Sequence, residues 1–356
     1  MEDRQNIFII KEKVLQENFE KYSRLGNICY PMKTNSTLPV LTILKEQIEC
    51  GENYFSISNL KHFTKLYNLG VRPNKIILIN TIATNDIVKT LYDNNVRFFT
   101  FDNLTALSNF SKYADIKKCK LFFRLSVNEE FHLHSHIGAN SEEIKQMIKF
   151  IEKYNIDYGI SFYLPKEINN KNNSLKRMLK FIEKKFSKDN IKFLTIAGIK
   201  KATSINEKLI KNIKQSLQLK TVFLEPGEYM LYGAIDLKTS IVRFKYGKRK
   251  SLILKNGIFS GMLDRVLYNK KFDFILTING KTIHLSPHIK FGMTKIYVYG
   301  GSGDSVDYLG KYYIEKEFAN LFKENQEVII KNAGAYFEEF YIPHGDELQI
   351  VYDIIK

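Results

Sequence analysis

The sequence predicts a closed (β/α)8 barrel followed by a mostly β domain, an α/β plus β architecture. Three observations predict it. Short β-branched or aromatic runs alternate eight times with segments of helical apolar spacing between residues 27 and 225, the pattern of parallel βαβ units in the number that closes a barrel. Beyond Glu225 the helical pattern nearly stops and strand-like runs take over. At 356 residues and 44% hydrophobic, the chain can bury one large core or two moderate ones. An open doubly wound sheet is the alternative that the alternation leaves open.

In chain order, IFIIK (7–11) precedes the repeat and is expected to pair with the second domain. The eight runs are NICYPM (27–32), YFSIS (54–58), KIILI (75–79), RFFTF (97–101), KLFFRLS (120–126), YGISFYL (158–164), KFLTIA (192–197) and TVFLE (221–225). Between them, LPVLTILKEQI (38–48), NDIVKTLYDNN (85–95), SEEIKQMIKFIEKYN (141–155) and INEKLIKNIKQSL (205–217) carry apolar residues at helical spacing. Ser141 is the expected N-cap of its segment, with Glu142 and Glu143 in the first turn, where the helix dipole favours acids. The second domain is expected to hold SIVRFKYG (240–247), SLILK (251–255), FDFILTING (272–280), TKIYVYG (294–300), EVIIKN (327–332) and ELQIVYDII (347–355). The expected division is therefore residues 10–229 for the barrel, and residues 1–9 with 230–356 for the β domain.

The net charge of +16 raises nucleic acid as a partner. The lysines, however, are spread through every helical segment among acids and apolar residues, as in LKRMLKFIEKKFSKDNIK (175–192). That distribution reads as solvated helix faces, so no nucleic-acid partner is expected, while anionic ligands stay compatible. Cys29, Cys50 and Cys119 are too few and scattered for a disulfide framework or a CxxC metal site, and read as thiols in a reducing compartment. No apolar stretch approaches the roughly 20 residues a membrane span needs. MEDRQNIFII also lacks the layout of a signal peptide, so the expected location is cytoplasmic.

Barrels of this kind place their active sites at the C-terminal ends of the strands. Lys33 ends the first strand, Arg124 lies near the end of the fifth, Tyr163 ends the sixth, Gly198 follows the seventh and Glu225 ends the eighth. A lysine shielded from water can have a depressed pKa and an amine able to form a Schiff base; the bland alternative is a lysine paired with a strand-end carboxylate. His132, His134 and His136 in FHLHSHIGAN have the spacing of ligands on one strand face, but no carboxylate or cysteine sits at ligand spacing and no metal is expected. His284 and His288 read as loop residues.

At these residues the chain resembles the fold-type III pyridoxal-phosphate-dependent decarboxylases, the family of ornithine, lysine, arginine and diaminopimelate decarboxylases. YPMKTNSTLPVL (30–41) resembles their Y-A-V-K-A-N-x-x-x-x-V-L, FDNLTALSNF (101–110) their V-D-S-x-x-E-L, LFFRLS (121–126) their L-x-x-R-I and HIGA (136–139) their K-F-G-A. GISFYLP (159–165), LTIAGI (194–199) and EPGEY (225–229) stand for G-x-S-F-H-V-G, L-D-I-G-G-G-F and E-P-G-R-Y. LYNKK (267–271), GGSGDSVD (300–307) and NAGAYF (332–337) stand for L-Y-D-H, G-P-T-C-D-S-x-D and x-x-G-A-Y. The resemblance covers nearly the whole chain and implies the alanine-racemase/ornithine-decarboxylase-like fold.

It also implies a set of roles. Lys33 would carry pyridoxal 5'-phosphate as a Schiff base, and Glu225 would keep the pyridine nitrogen protonated. Arg124 and Tyr163 would lie at the ring, and Gly198, Gly227 and Tyr336 at the phosphate. Asp304 would reach across a head-to-tail homodimer to hold a substrate's distal ammonium, with Asn269 beside it. The implied reaction is decarboxylation of a basic or amine-bearing amino acid, free or as part of a biosynthetic intermediate. A non-catalytic binding or regulatory homologue, or a racemase or transaminating decarboxylase, are the alternatives.

Several positions depart from the family pattern. Its stacking histidine is Tyr163, its phosphate-loop glycines are reduced to Gly198, and its phosphate-binding arginine is Glu228. Its proton-donating cysteine is Gly303, with Ser302 and Ser305 as neighbouring hydroxyls, and its second substrate carboxylate is Asn269. Lys166, Lys200 and Lys201 are candidate replacement cations for the phosphate, or solvated loop lysines. The aspartate usually found two residues before the Ser58-like serine is Ser56.

Overall fold

The computed structural model describes residues 6–132, 136–164, 174–186, 189, 191–199, 205–267, 269–339 and 350–356. They form two compact units, one of residues 16–230 and one of residues 1–15 with 231–356. The first strand, β1 (Asn6–Lys11), belongs to the second of these.

In the 16–230 unit, eight parallel strands close on themselves. They are β2 (Asn27–Pro31), β3 (Tyr54–Ile57), β4 (Ile76–Leu78), β5 (Phe98–Phe101), β6 (Lys120–Arg124), β7 (Tyr158–Tyr163), β8 (Phe193–Ala197) and β9 (Thr221–Glu225). Closure comes from β9 pairing with β2, Asn27 opposite Phe223 and Ile28 opposite Leu224. Helices Leu38–Cys50, Leu60–Asn68, Asn85–Asp93, Leu104–Ser111, Ser141–Ile151, Ser174–Phe186 and Glu207–Ser216 fall between successive strands. This is the expected (β/α)8 barrel.

Asparagines start four of those helices. The side chains of Asn59, Asn103, Asn140 and Asn206 accept from the backbone N–H of His62, Ala106, Glu143 and Leu209, satisfying donors that a helix start otherwise leaves unpaired. Asn140 corrects the expected cap by one residue. It forms a capping box with Glu143, whereas Ser141 is buried in the first turn, its Oγ 2.8 Å from Glu129 Oε1.

In the other unit, strands run β13-β12-β16-β10-β11-β14-β15, with β1 pairing β10 and β17. They are β10 (Ile235–Lys245), β11 (Ser251–Leu254), β12 (Asp273–Ile278), β13 (Lys281–Leu285), β14 (Met293–Tyr299), β15 (Tyr308–Glu315), β16 (Glu327–Lys331) and β17 (Ile350–Ile355). Two of these were not expected. β13 follows β12 through Asn279-Gly280, both at positive φ (50° and 76°), a strong hairpin signal that precedes a polar, weakly patterned strand. β15 contains Gly310 at φ 140°, which interrupts its apolar alternation.

Buried Asp236 ties this sheet together. Lys11 Nζ lies 2.7 Å from its Oδ2, Lys331 Nζ pairs with the same oxygen, and the Asn332 N–H donates to Oδ1 at 3.1 Å. Burial pushes its pKa up, but these three donors outweigh burial and hold it below the usual carboxylate value. No described helix is long and apolar enough to cross a membrane.

Candidate active site

Strand side chains alternate between the two faces of a sheet, so inward positions recur every second residue. The barrel's inner layers follow from that rule. One layer is a cluster of Cys29, Ile77, Phe98, Phe122, Phe193 and Phe223, with Tyr54 and Ile79 packed against it. Burying each such phenylalanine contributes about 1.5–3 kcal/mol. Two residues further along the same strands come Ser56, Thr100, Arg124, Thr195 and Glu225. An aromatic plug thus lies beneath a polar floor.

Above that floor opens a cavity of about 250 Å³ lined by Lys33, Arg124, Tyr163 and Glu225, together with Thr81 and Ile137. Lys33 lies in a single 3₁₀ turn, Met32–Thr34, that follows β2 and is flanked by buried Met32 and Thr34. Its surface is open to the cavity, but barrel atoms hem in the ammonium. Burial, first, and the Arg124 charge lower its pKa, against the raising influence of Glu225.

Glu225, at 5% exposure, is raised by burial, with Arg124 and Lys33 pulling the other way. Its Oε1 is fully buried and accepts no hydrogen bond from any described residue. A buried carboxylate oxygen without a donor is costly, and its natural complement is an N–H delivered from the cavity. Arg124 is anchored by Nη1 donating to Ser161 Oγ at 2.9 Å, and β6 sets Arg124 opposite Ser161 in register. Its pKa is lowered by burial, against the charges of Glu225, Tyr163 and Asp102, and a guanidinium remains protonated throughout.

The donor set suits pyridoxal phosphate: an amine for the aldehyde carbon, an unpartnered carboxylate oxygen for a pyridinium N–H, and Tyr163, a 39% exposed aromatic ring at the cavity wall. Gly198, expected at the phosphate, sits at φ 80° directly after β8. A Cβ there would run into the Leu164 carbonyl oxygen, so only glycine fits. Gly227, at φ 51°, opens the 3₁₀ turn Gly227–Met230, and Glu228 lies half-buried within it. The candidate cations Lys166, Lys200 and Lys201 lie outside the described residues.

Asn269, Asp304 and Tyr336 belong to the β unit. Asn269 adopts φ 49°, and its Oδ1 accepts from Arg265 Nη1 at 2.6 Å, so the acceptor expected for a substrate amine is already engaged. Asp304 is exposed in the 300–307 loop, where its Oδ1 accepts from Val306 N–H at 3.0 Å. Buried Asp307 shapes that loop, accepting from Ile258 N–H at 2.6 Å and Ser302 N–H at 3.2 Å. At Gly303, φ is 81° and a Cβ would meet nothing within 4 Å; the position has room for a side chain, but its backbone conformation favours glycine. Tyr336 is half-buried at φ 63°.

His132 caps a short helix at φ 53° and His136 is exposed, while His134 lies outside the described residues. Among the described residues no cluster of three His, Cys, Asp or Glu could hold a metal. The sequence reading missed Ser161, Thr81 and Ile137. Ser161 was within reach, since it lies two residues before Tyr163 on the same strand face, whereas Thr81 and Ile137 sit in loops with no periodic signal.

Comparison with known proteins identifies the family. Residues 10–231 match the family described as pyridoxal-dependent decarboxylase, pyridoxal binding domain. A lysine/ornithine decarboxylase of Selenomonas ruminantium is 24% identical across 92% of this chain and 86% of its own length. A diaminopimelate decarboxylase of Campylobacter jejuni is 21% identical across 93% and 84%. Among solved structures, the arginine decarboxylase of Paramecium bursaria Chlorella virus superposes with a TM-score of 0.80 at 17% identity, covering 99% of this chain and 96% of that one. With a matching barrel, a lysine and a buried glutamate on one cavity, and a family match over more than half its length, the chain belongs to the pyridoxal-dependent decarboxylases, enzymes that use pyridoxal phosphate to remove a carboxyl group from amino acids.

Proposed function

We propose that this enzyme decarboxylates an amino acid that bears a second basic group, free or attached to a larger intermediate. The names of its relatives support that reading: lysine, ornithine, arginine and diaminopimelate all carry an amine or guanidine far from the reacting carbon. Lys33 would hold the cofactor through its aldehyde carbon, and its lowered pKa keeps more of its amine neutral and able to react. Bound pyridoxal phosphate supplies the electron sink for the pair left behind when CO₂ departs.

Glu225 keeps the ring nitrogen protonated, and Arg124, fixed by Ser161, holds positive charge beside it. Tyr163 packs on the ring face in place of the family's histidine. Gly198 and Gly227 let backbone approach the phosphate, and Tyr336 donates to it. Asp304 receives the distal ammonium across a homodimer interface, with Asn269 beside it offering the second lone pair of an amide oxygen that already accepts from Arg265.

The observation that carries this reading is Glu225 Oε1, buried without a donor among the described residues and on the same cavity as Lys33. An absorbance spectrum with added pyridoxal phosphate tests it: a visible band is expected in the wild type and absent in Lys33→Ala. No band at saturating cofactor overturns the site assignment. CO₂ release from a panel of diamino acids then fixes the substrate class.

A further inference from the structure

One carboxylate outside the ring-binding set joins two walls of the cavity. Asp102 follows β5, and its Oδ2 accepts both the Thr81 hydroxyl, at 2.7 Å, and the Gly138 N–H, at 3.2 Å. Thr81 lines the cavity from the loop after β4, and Ile137, the neighbour of Gly138, lines it from the segment that follows β6. Asp102 is also among the charges that act on Arg124.

Backbone hydrogen bonds hold the Gly138 segment against the end of β6. The Ala139 N–H donates to the Arg124 carbonyl and the Ser126 N–H to the Ala139 carbonyl, each at 2.8 Å. Gly138 itself, at φ 95°, lies so close to β6 that a Cβ would sit 2.7 Å from Ser126 N. The segment is therefore docked edge-on beside Arg124, and Asp102 reaches it from another wall.

We propose that Asp102 is a positioning residue for the cofactor cavity: a single carboxylate oxygen clamps the Thr81 loop to the Gly138 segment and so fixes Thr81, Ile137 and the surroundings of Arg124. Asp102 itself does not line the cavity. Its charge is separable from its geometry, because an asparagine amide oxygen can accept the same two bonds, whereas leucine can accept neither. Removing the acceptor leaves Gly138 N–H and Thr81 Oγ1 without their partner, which loosens both walls.

Hydrogen exchange of the cofactor-free protein tests this directly. In Asp102→Leu, amides of residues 136–142 are expected to exchange about tenfold faster or more, with β6 unchanged, and Asp102→Asn is expected to stay within about threefold of wild type. Cofactor titration is expected to follow the same order, with Asp102→Leu binding about tenfold more weakly. Wild-type exchange or a wild-type dissociation constant in Asp102→Leu overturns the proposal. If that variant does not fold, Thr81→Val decides: its cofactor affinity is expected to fall about threefold with an unchanged melting temperature, and unchanged affinity overturns the clamp. The titration rests on the function proposed above, whereas the exchange measurement does not. A wild-type protein that binds no cofactor would sink that function and leave exchange to decide the clamp.

Discussion

Replacing Glu225 by glutamine should move two measurable quantities in opposite directions. The carboxylate is 5% exposed, lies across the barrel closure from the strand that leads to Lys33, and is the neighbour that raises the Lys33 pKa against burial and Arg124. Between unit charges, an effective dielectric near 20 gives about 4 kcal/mol at contact and about 2 kcal/mol at twice that distance. Losing that attraction should lower the Lys33 pKa further, because burial and the Arg124 charge then act unopposed by it.

The sign follows from which form is penalised. The neutral amine reacts with the aldehyde, so capture rises as pH climbs through the Lys33 pKa, and in Glu225→Gln this rise should begin at lower pH. At neutral pH the visible band should therefore form faster than in wild type. Decarboxylation should nonetheless fall by about 10²- to 10³-fold, because an amide cannot stabilise a protonated ring nitrogen as charge develops. Stopped-flow absorbance across pH reads the first effect and CO₂ release reads the second. A Glu225→Gln enzyme that decarboxylates at the wild-type rate, or whose capture profile moves to higher pH, would refute this account of the site.

Gly198→Ala places a methyl group against the Leu164 carbonyl in a left-handed backbone, and should cost about 1–2 kcal/mol from φ alone and more from the clash, read as a lower melting temperature and weaker cofactor binding. Asp236→Ala strands the Lys11 and Lys331 ammonium groups and should destabilise the β unit by roughly 3–5 kcal/mol in chemical denaturation. The Asp236 pKa is depressed, so its stabilisation is present above the ordinary carboxylate range and disappears as pH falls through the lowered value; acid should narrow the gap between Asp236→Ala and wild type. Asp304→Ala should raise KM for diamino acids while leaving the cofactor band intact, and an unchanged KM would remove Asp304 from substrate binding.

The eight strand–helix units were legible because barrel strands are short and apolar and their helices are amphipathic, both local patterns. Lys33, Arg124, Tyr163 and Glu225 were legible by position, since each ends or nearly ends a strand of that repeat. The β unit was read less fully. β13 and β15 escaped because half-solvated antiparallel strands with polar or glycine interruptions carry weak periodicity, and their identity depends on partners far away in sequence. Asn269 was read as keeping an acceptor where the family has a carboxylate, and only its turn toward Arg265 reveals that the oxygen already accepts one hydrogen bond.

The sequence by itself determined that this chain builds a barrel with a lysine and a glutamate at its strand ends, because alternation and strand termini are properties of neighbouring residues. Tertiary structure decided that Glu225 Oε1 lies buried with no donor among the described residues, that Ser161 holds Arg124, and that Asp102 joins Thr81 to Gly138. Those facts arise from contacts between residues tens of positions apart. They depend on strand register and on which loops meet above the barrel, and no local pattern encodes either.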